Sequence, residues 1–295
     1  MLKNNIKDYL HLHFIVFIWG FTAVLGKLIS IEAIPLVWFR LSIATVLLYF
    51  LLVFKKANLK LTVKSFFQFL IAGLIIGVHW IAFFYAIKIS NVSITLAALA
   101  TGALFASILE PLFFKTKIKP YEILLSLLTV IGIIIIFNVE SQYATGIIVA
   151  LFTAFLSALF TVINADFIKH YSATVISFYE LLFAALLISI IILFQDGFSS
   201  EFFNLSNNDW LYIVVLGSVC TAYALTASTM LLEKISPFTM MLTVNLEPVY
   251  GIILALIVLG NSEKMNPQFY YGAILIFVSV ILNGYIKIKM KKTNK

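Results

Sequence analysis

Residues 66–87 read FFQFLIAGLIIGVHWIAFFYAI, a run without a formal charge. A helix needs about 20 mainly apolar residues to cross roughly 30 Å of hydrocarbon. Nine more stretches of this kind lie on either side, at 12–31, 36–54, 92–114, 121–138, 146–165, 173–194, 210–232, 238–259 and 268–286. The chain is 62% hydrophobic, against roughly 45–50% in a soluble domain, and its mean hydropathy is +1.08. That leaves no room for a sizeable soluble domain. The predicted fold class is an all-α membrane protein of ten transmembrane helices, working inside or across a bilayer. The first stretch is as long as the others and has no small-residue cleavage site after it, so it reads as a span and not a signal peptide. The lone Cys220 excludes an intramolecular disulfide.

The basic residues sort by side. Lys3, Lys7, Lys55, Lys56, Lys60, Lys64, Lys115, Lys117, Lys119, Lys169, Lys234, Lys287, Lys289, Lys291, Lys292 and Lys295 fall at one set of helix ends. Short Lys/Arg-rich loops stay cytoplasmic, so both termini are expected inside. The +7 net charge follows from this sorting. It suits anionic lipid headgroups, and no separate basic domain suggests a nucleic-acid partner. The longest loop, 195–209, is then external and carries Asp196, Glu201 and Asp209, with Phe198, Phe202 and Phe203 expected to dip into the interface.

The two halves resemble each other. Residues 34–45, IPLVWFRLSIAT, match 174–185, TVISFYELLFAA, and 89–96, ISNVSITL, match 235–242, ISPFTMML. The division is 1–140 and 141–295, with five helices each. An odd number of spans per half inverts the second half, the plan of many transporters with a midplane site between repeats.

Ionisable side chains inside a bilayer are expensive and face a cavity, a partner or an interface. At about 1.5 Å per residue, Arg40 and Glu247 have similar depths. Glu180, aligned with Arg40 in the repeat, lies roughly 10 Å deeper towards the inside. Arg40–Glu247 is the preferred pairing. Pro248 leaves the carbonyl four residues earlier without its helical donor and makes a polar, bendable site beside Glu247. Glu110 is expected to meet Lys115 or Lys117. Lys27 is a binding candidate or snorkels outward. His79 binds substrate, shuttles protons or bonds within the bundle. Glu247 and His79 are the residues best placed to carry a proton. Trp19, Trp80, Tyr85, Tyr179 and Tyr223 are candidate aromatic walls for amphipathic or cationic solutes. Gly73 and Gly77 allow close internal helix packing, which favours a monomer. The chain has no P-loop, HExxH, paired Cys or GxSxG, so neither ATP nor a metal, cofactor or catalytic centre is indicated. No repeated filter sequence suggests a channel.

Trp19-Gly20, Lys27, Pro35 and Phe39-Arg40 form a WG…K…P…FR arrangement. With Ile89-Ser90 and Asn245-Leu246-Glu247-Pro248, it resembles EamA-type proteins of the drug/metabolite transporter superfamily. Family members often carry a Pro midway along helix four. Gly102 stands there here, with Pro111 later, so the kink is expected to be shifted or absent. The resemblance implies a cavity lined by helices one to four and six to nine, with five and ten outside. It makes Asn245 a further binding candidate. It also implies a transporter in a bacterial inner membrane that exports small metabolites by alternating access, amino acids or related compounds first, with protons as a candidate coupling ion. The alternatives are a multidrug or organic-cation carrier, a membrane-embedded enzyme and a lipid flippase.

Overall fold

The computed structural model describes residues 6–117, 120–195 and 197–293, and among these it contains helices and no strands. Lys3, Lys119, Asp196 and Lys295 lie outside the described residues. Among the described residues, eight helical stretches are long and apolar enough to cross a membrane. The first three are α1 (Ile6–Leu28), α2 (Ala33–Phe54) and α3 (Val63–Ile89). The fourth, Val92–Phe114, divides into α4 (Val92–Leu99) and α5 (Gly102–Phe114). After α6 (Pro120–Val139) come α7 (Ala144–Phe167) and α8 (Ala173–Leu193). Asn207–Leu231 contains α9 (Asn207–Gly217), a π-helical turn at Ser218–Tyr223 and α10 (Ala224–Leu231). Pro237–Glu263 holds α11 (Pro237–Val244) and α12 (Glu247–Leu259), and α13 is Pro267–Thr293. Each of the ten apolar stretches of the sequence coincides with one of these helices or broken helices.

Side chains set where the helices begin. Thr62 accepts from Ser65 N (3.1 Å), Asn91 from Ile94 N (2.8 Å), Ser206 from Asp209 N (3.1 Å) and Ser236 from Thr239 N (3.3 Å). Each satisfies a first-turn N–H that has no helical acceptor. Small residues then set how closely the helices pack. A Cβ added at Gly20 would lie 2.9 Å from Tyr250 Cβ, so α1 and α12 meet backbone to backbone. Gly73 faces the Glu180 carbonyl and Phe183, which makes the Gly73–Gly77 motif an internal α3–α8 contact.

α6 and α13 pack on each other, joined by a Thr129–Ser279 hydroxyl bond of 2.7 Å. Leu124, Leu127, Ile131, Ile274, Val278 and Ile281 are exposed on this pair, as lipid-facing side chains should be. Residues 197–209 fold inward onto α2. Phe202 stacks on Phe39 at 5.2 Å between ring centroids, and Phe198 lies 5.0 Å from Trp38. The phenylalanines expected to enter the interface thus partly cover the N-terminal half of α2, where two aromatic rings supply a ready apolar surface.

Candidate functional site

Helix four does break. The helix is interrupted at Ala100–Thr101 directly before Gly102, and a Cβ on Gly102 would lie 2.6 Å from Met241 Cε on α11. Helix nine breaks at Asn245–Leu246, just ahead of Glu247 and Pro248. The two breaks lie beside a cavity lined from α1 by Trp19 and Thr22, from α2 by Arg40, and from α3 by His79, Trp80 and Phe83. α4 adds Leu99, α7 adds Asn164 and Thr161, α10 and α11 add Thr229 and Met241, and α12 adds Glu247. Among the described residues neither α6 nor α13 contributes, and α8, which was expected to line the cavity, contributes none either. The space open to the centres of water molecules is about 70 Å³. One water needs about 10–15 Å³ by that measure, so the cavity holds a handful of waters and must widen for a larger solute.

Arg40 is 1% exposed. Its Nε donates to Thr221 Oγ1 at 2.5 Å and its Nη2 to the Cys220 carbonyl at 3.4 Å. The guanidinium lies over the Trp80 ring at 4.1 Å, a cation–π contact strengthened by burial. Both partners belong to the π-helical turn, where the widened ladder lets side chains reach backbone carbonyls. Thr221 Oγ1 donates to the Leu216 carbonyl five residues back and so accepts from Arg40. Nη1 is buried and, among the described residues, has no hydrogen-bond acceptor. No ion pair joins Arg40 to Glu247 among the described residues. The two line the same cavity wall without a hydrogen bond between them.

His79 is fixed by Thr153. Its Nδ1 lies 2.9 Å from the Thr153 carbonyl and 2.7 Å from the Thr153 hydroxyl, and that hydroxyl lies 2.7 Å from the His79 carbonyl. A carbonyl cannot donate, so Nδ1 carries hydrogen and Nε2 is the acceptor in the neutral ring.

Glu180 is fully buried. Its Oε2 accepts from Asn164 Nδ2 at 3.2 Å. Its Oε1, Asn164 Oδ1 and the Ser177 hydroxyl have no hydrogen-bond partner among the described residues. Asn164 itself lines the cavity, so Glu180 stands one side chain behind the wall. Asn245 is 1% exposed at the helix-nine break, and neither polar atom of its amide has a partner among the described residues.

The remaining sequence candidates lie away from the cavity. Lys27 Nζ donates to the Ile87 carbonyl (3.4 Å). Tyr85 is 46% exposed on the outside of α3. The Tyr179 hydroxyl donates to the Leu59 carbonyl, and its ring stacks on Phe69. Tyr223 is exposed and bonds His11 Nε2 at 2.8 Å. Glu110 accepts from Phe238 N at 2.7 Å. It caps α11 and does not pair with Lys115 or Lys117, because the free N–H groups and dipole of a helix N-terminus compete well for a carboxylate. Glu263 holds the α4 N-terminus reciprocally, accepting from Val92 N (3.1 Å), Ser93 N (2.9 Å) and Ser93 Oγ (2.9 Å). The broken helices four and nine are thus tied at opposite ends by each other's carboxylates. Sequence reasoning passed over Thr221, Asn164, Ser177 and Glu263. The polar run Ser218-Val219-Cys220-Thr221 inside an apolar helix was the available signal.

A multi-pass helical bundle around a buried polar cavity is the architecture of a membrane carrier. The sequence model of the EamA-like transporter family matches residues 9–138 and 144–285, and the chain belongs to that family of membrane transporters. An uncharacterized transporter of Clostridium kluyveri is 26% identical over 249 residues, covering 78% of this chain and 75% of the relative. One protein of known crystal structure superposes with a TM-score of 0.69 over 94% of this chain and 96% of its own, at 13% identity. That likeness is one of fold.

Proposed function

We propose that the protein is a secondary active or facilitative carrier that exports a small organic metabolite by alternating access. Amino acids or related compounds are the first substrate class to test, and a multidrug or organic-cation carrier is the second reading. The observation that carries this is the Arg40–Trp80–Glu247 wall: a buried guanidinium and a buried carboxyl on one cavity, beside two interrupted helices. Unwound helices at midplane depth are where carriers build binding sites. Trp19, Arg40, His79, Trp80 and Glu247 form the substrate-facing group in this reading, and Asn245 is buried at the break beside Glu247. Lys27, Tyr85, Tyr179 and Tyr223 support the bundle around them.

The same reading takes ten spans in two inverted five-helix repeats, 1–140 and 141–295. Its support is the family model's match to each half in turn and the reciprocal α4 and α11 caps. It places the protein in a bacterial inner membrane with both termini cytoplasmic. A periplasm-active reporter fused after Lys295 should be inactive, and strong activity would overturn the orientation. Metabolites in medium and cytosol, compared between cells with and without the chain, test the function. Export requires at least one metabolite to fall in the medium and rise in the cytosol when the chain is removed. Unchanged pools under loading conditions would refute it.

A further inference from the structure

Glu180 has no role in the cavity wall, yet it is wholly buried in the middle third of α8. A carboxylate in low dielectric needs an opposite charge or several donors to stay ionised. Here it receives one amide N–H. Of the elements packed on α8, α2 carries Arg40, α3 carries His79 and α10 has no ionisable residue; α7, which reaches Glu180 through Asn164, carries Asp166, and on α8 itself the Tyr179 hydroxyl donates to the Leu59 carbonyl. Arg40 is bonded to the π-helical turn, His79 to Thr153 and Asp166 to Lys169. The other ionisable side chains of α2 and α3 are exposed or, for Lys88, bonded to the Ile29 carbonyl. Among the described residues, none pairs with Glu180.

The atoms left over are informative. Glu180 Oε1 and Asn164 Oδ1 are acceptors without donors, and Ser177 Oγ, one helical turn from Glu180 on the same face, is also unpaired. The Ser177 hydroxyl can donate but carries no charge, so what the cluster lacks is anything that neutralises the carboxylate. Hard metal ions take about six or more oxygens, more than this cluster offers. A single proton on a Glu180 oxygen supplies what is missing: it removes the buried charge and gives the acid an O–H that can donate to a neighbouring acceptor. Asn164 connects this position to the cavity, because it lines the wall and bonds Glu180 at once.

We infer that Glu180, backed by Asn164 and Ser177, is a proton-binding site separate from the substrate wall, loaded and unloaded through the cavity once per transport cycle. The inference rests on the carrier reading above and assigns its coupling ion. The proton adds to a carboxylate oxygen when the cavity faces the acidic side and returns to water when it faces the other, with no further reactant. It shifts the proton role from Glu247 and His79 to Glu180, since the His79 ring is already fixed by Thr153 and Glu247 faces the cavity.

Two measurements on the purified full-length protein in lipid membranes test this. Infrared difference spectra across a pH titration should contain, among the carboxylic-acid C=O bands of the chain's 13 Asp and Glu residues, one that is present in the wild type and in E247Q and missing in E180Q. A set of bands unchanged in E180Q, or loss of that same band in E247Q, overturns the assignment. E180D guards against misfolding of the amide variant: it should keep a displaced band, and a band at the wild-type position would also overturn the assignment. In liposomes loaded with a small-molecule extract of host cytosol, one pH unit sustains about tenfold accumulation on the acidic side per exchanged proton. E180Q should abolish that accumulation and retain exchange across equal concentrations. Loss of exchange with accumulation would make Glu180 a substrate contact and refute the proposal. Absence of any exchange in the wild type would instead remove the carrier reading, and the infrared result would still decide whether Glu180 binds a proton.

Discussion

Arg40 on α2 rests its carbonyl against Gly217, and Glu180 on α8 rests its carbonyl against Gly73. The two places align in the paired segments 34–45 and 174–185, and both side chains are fully buried. Their surroundings differ. Arg40 has a hydroxyl, a carbonyl and an aromatic face, and it borders the cavity directly. Glu180 has one amide and sits behind Asn164. The first is a charge held ready for a ligand, with both N–H bonds of Nη1 to spare. The second is a charge that its surroundings do not support. Matching positions can therefore serve one cycle in two ways, the positive one gripping a solute and the negative one taking a proton.

The largest effect expected from breaking this comparison is at Arg40. R40Q removes a buried, hydrogen-bonded cation, a change worth about 2–5 kcal/mol, so transport at equal surface expression should fall at least ~30-fold. Near-normal rates would mean that Arg40 only fixes helix packing. Stability should separate the two sites next. Glu180 has one hydrogen bond to lose, and a buried polar group with so few partners costs stability, so E180L should match or raise the wild-type thermal midpoint in detergent. R40M strips the Cys220 carbonyl of its side-chain donor and should lower the midpoint by the equivalent of about 1–3 kcal/mol. The opposite order would erase the distinction. The smallest effect concerns the carboxylates of the broken helices. E247Q, on the cavity, should slow transport about tenfold, the loss of one charge-assisted contact. E110Q keeps an acceptor for Phe238 N and should change transport less than about twofold. Equal rates for both variants would remove Glu247 from the site.

The apolar runs revealed the helices because a bilayer admits few other ways to bury a backbone. Depth along a helix brought Arg40, His79 and Glu247 onto one list, since rise per residue is fixed. Depth says nothing about which way a side chain faces around the helix. That is why Tyr85 and Tyr223, at suitable heights, lie on the outside, and why Glu180 has Asn164 in front of it. The π-helical turn at Ser218–Tyr223 rotates Cys220 and Thr221 towards Arg40, and a register change of this kind leaves only a weak mark in composition. The break before Gly102 shows the same limit: helix four is interrupted without a proline at that point, through close packing of Gly102 against Met241.

The most direct test of the cavity as the transport path is to block it. In a Cys220→Ala background, S157C places a thiol on the cavity wall, and Y85C places one on the exposed outside of α3. Exchange of a cytosolic small-molecule extract in proteoliposomes is followed by mass spectrometry before and after a bulky maleimide. Labelled S157C should stop exchanging while labelled Y85C continues at its starting rate. Full exchange through labelled S157C, or new products in place of net flux, would contradict a carrier that works through this cavity.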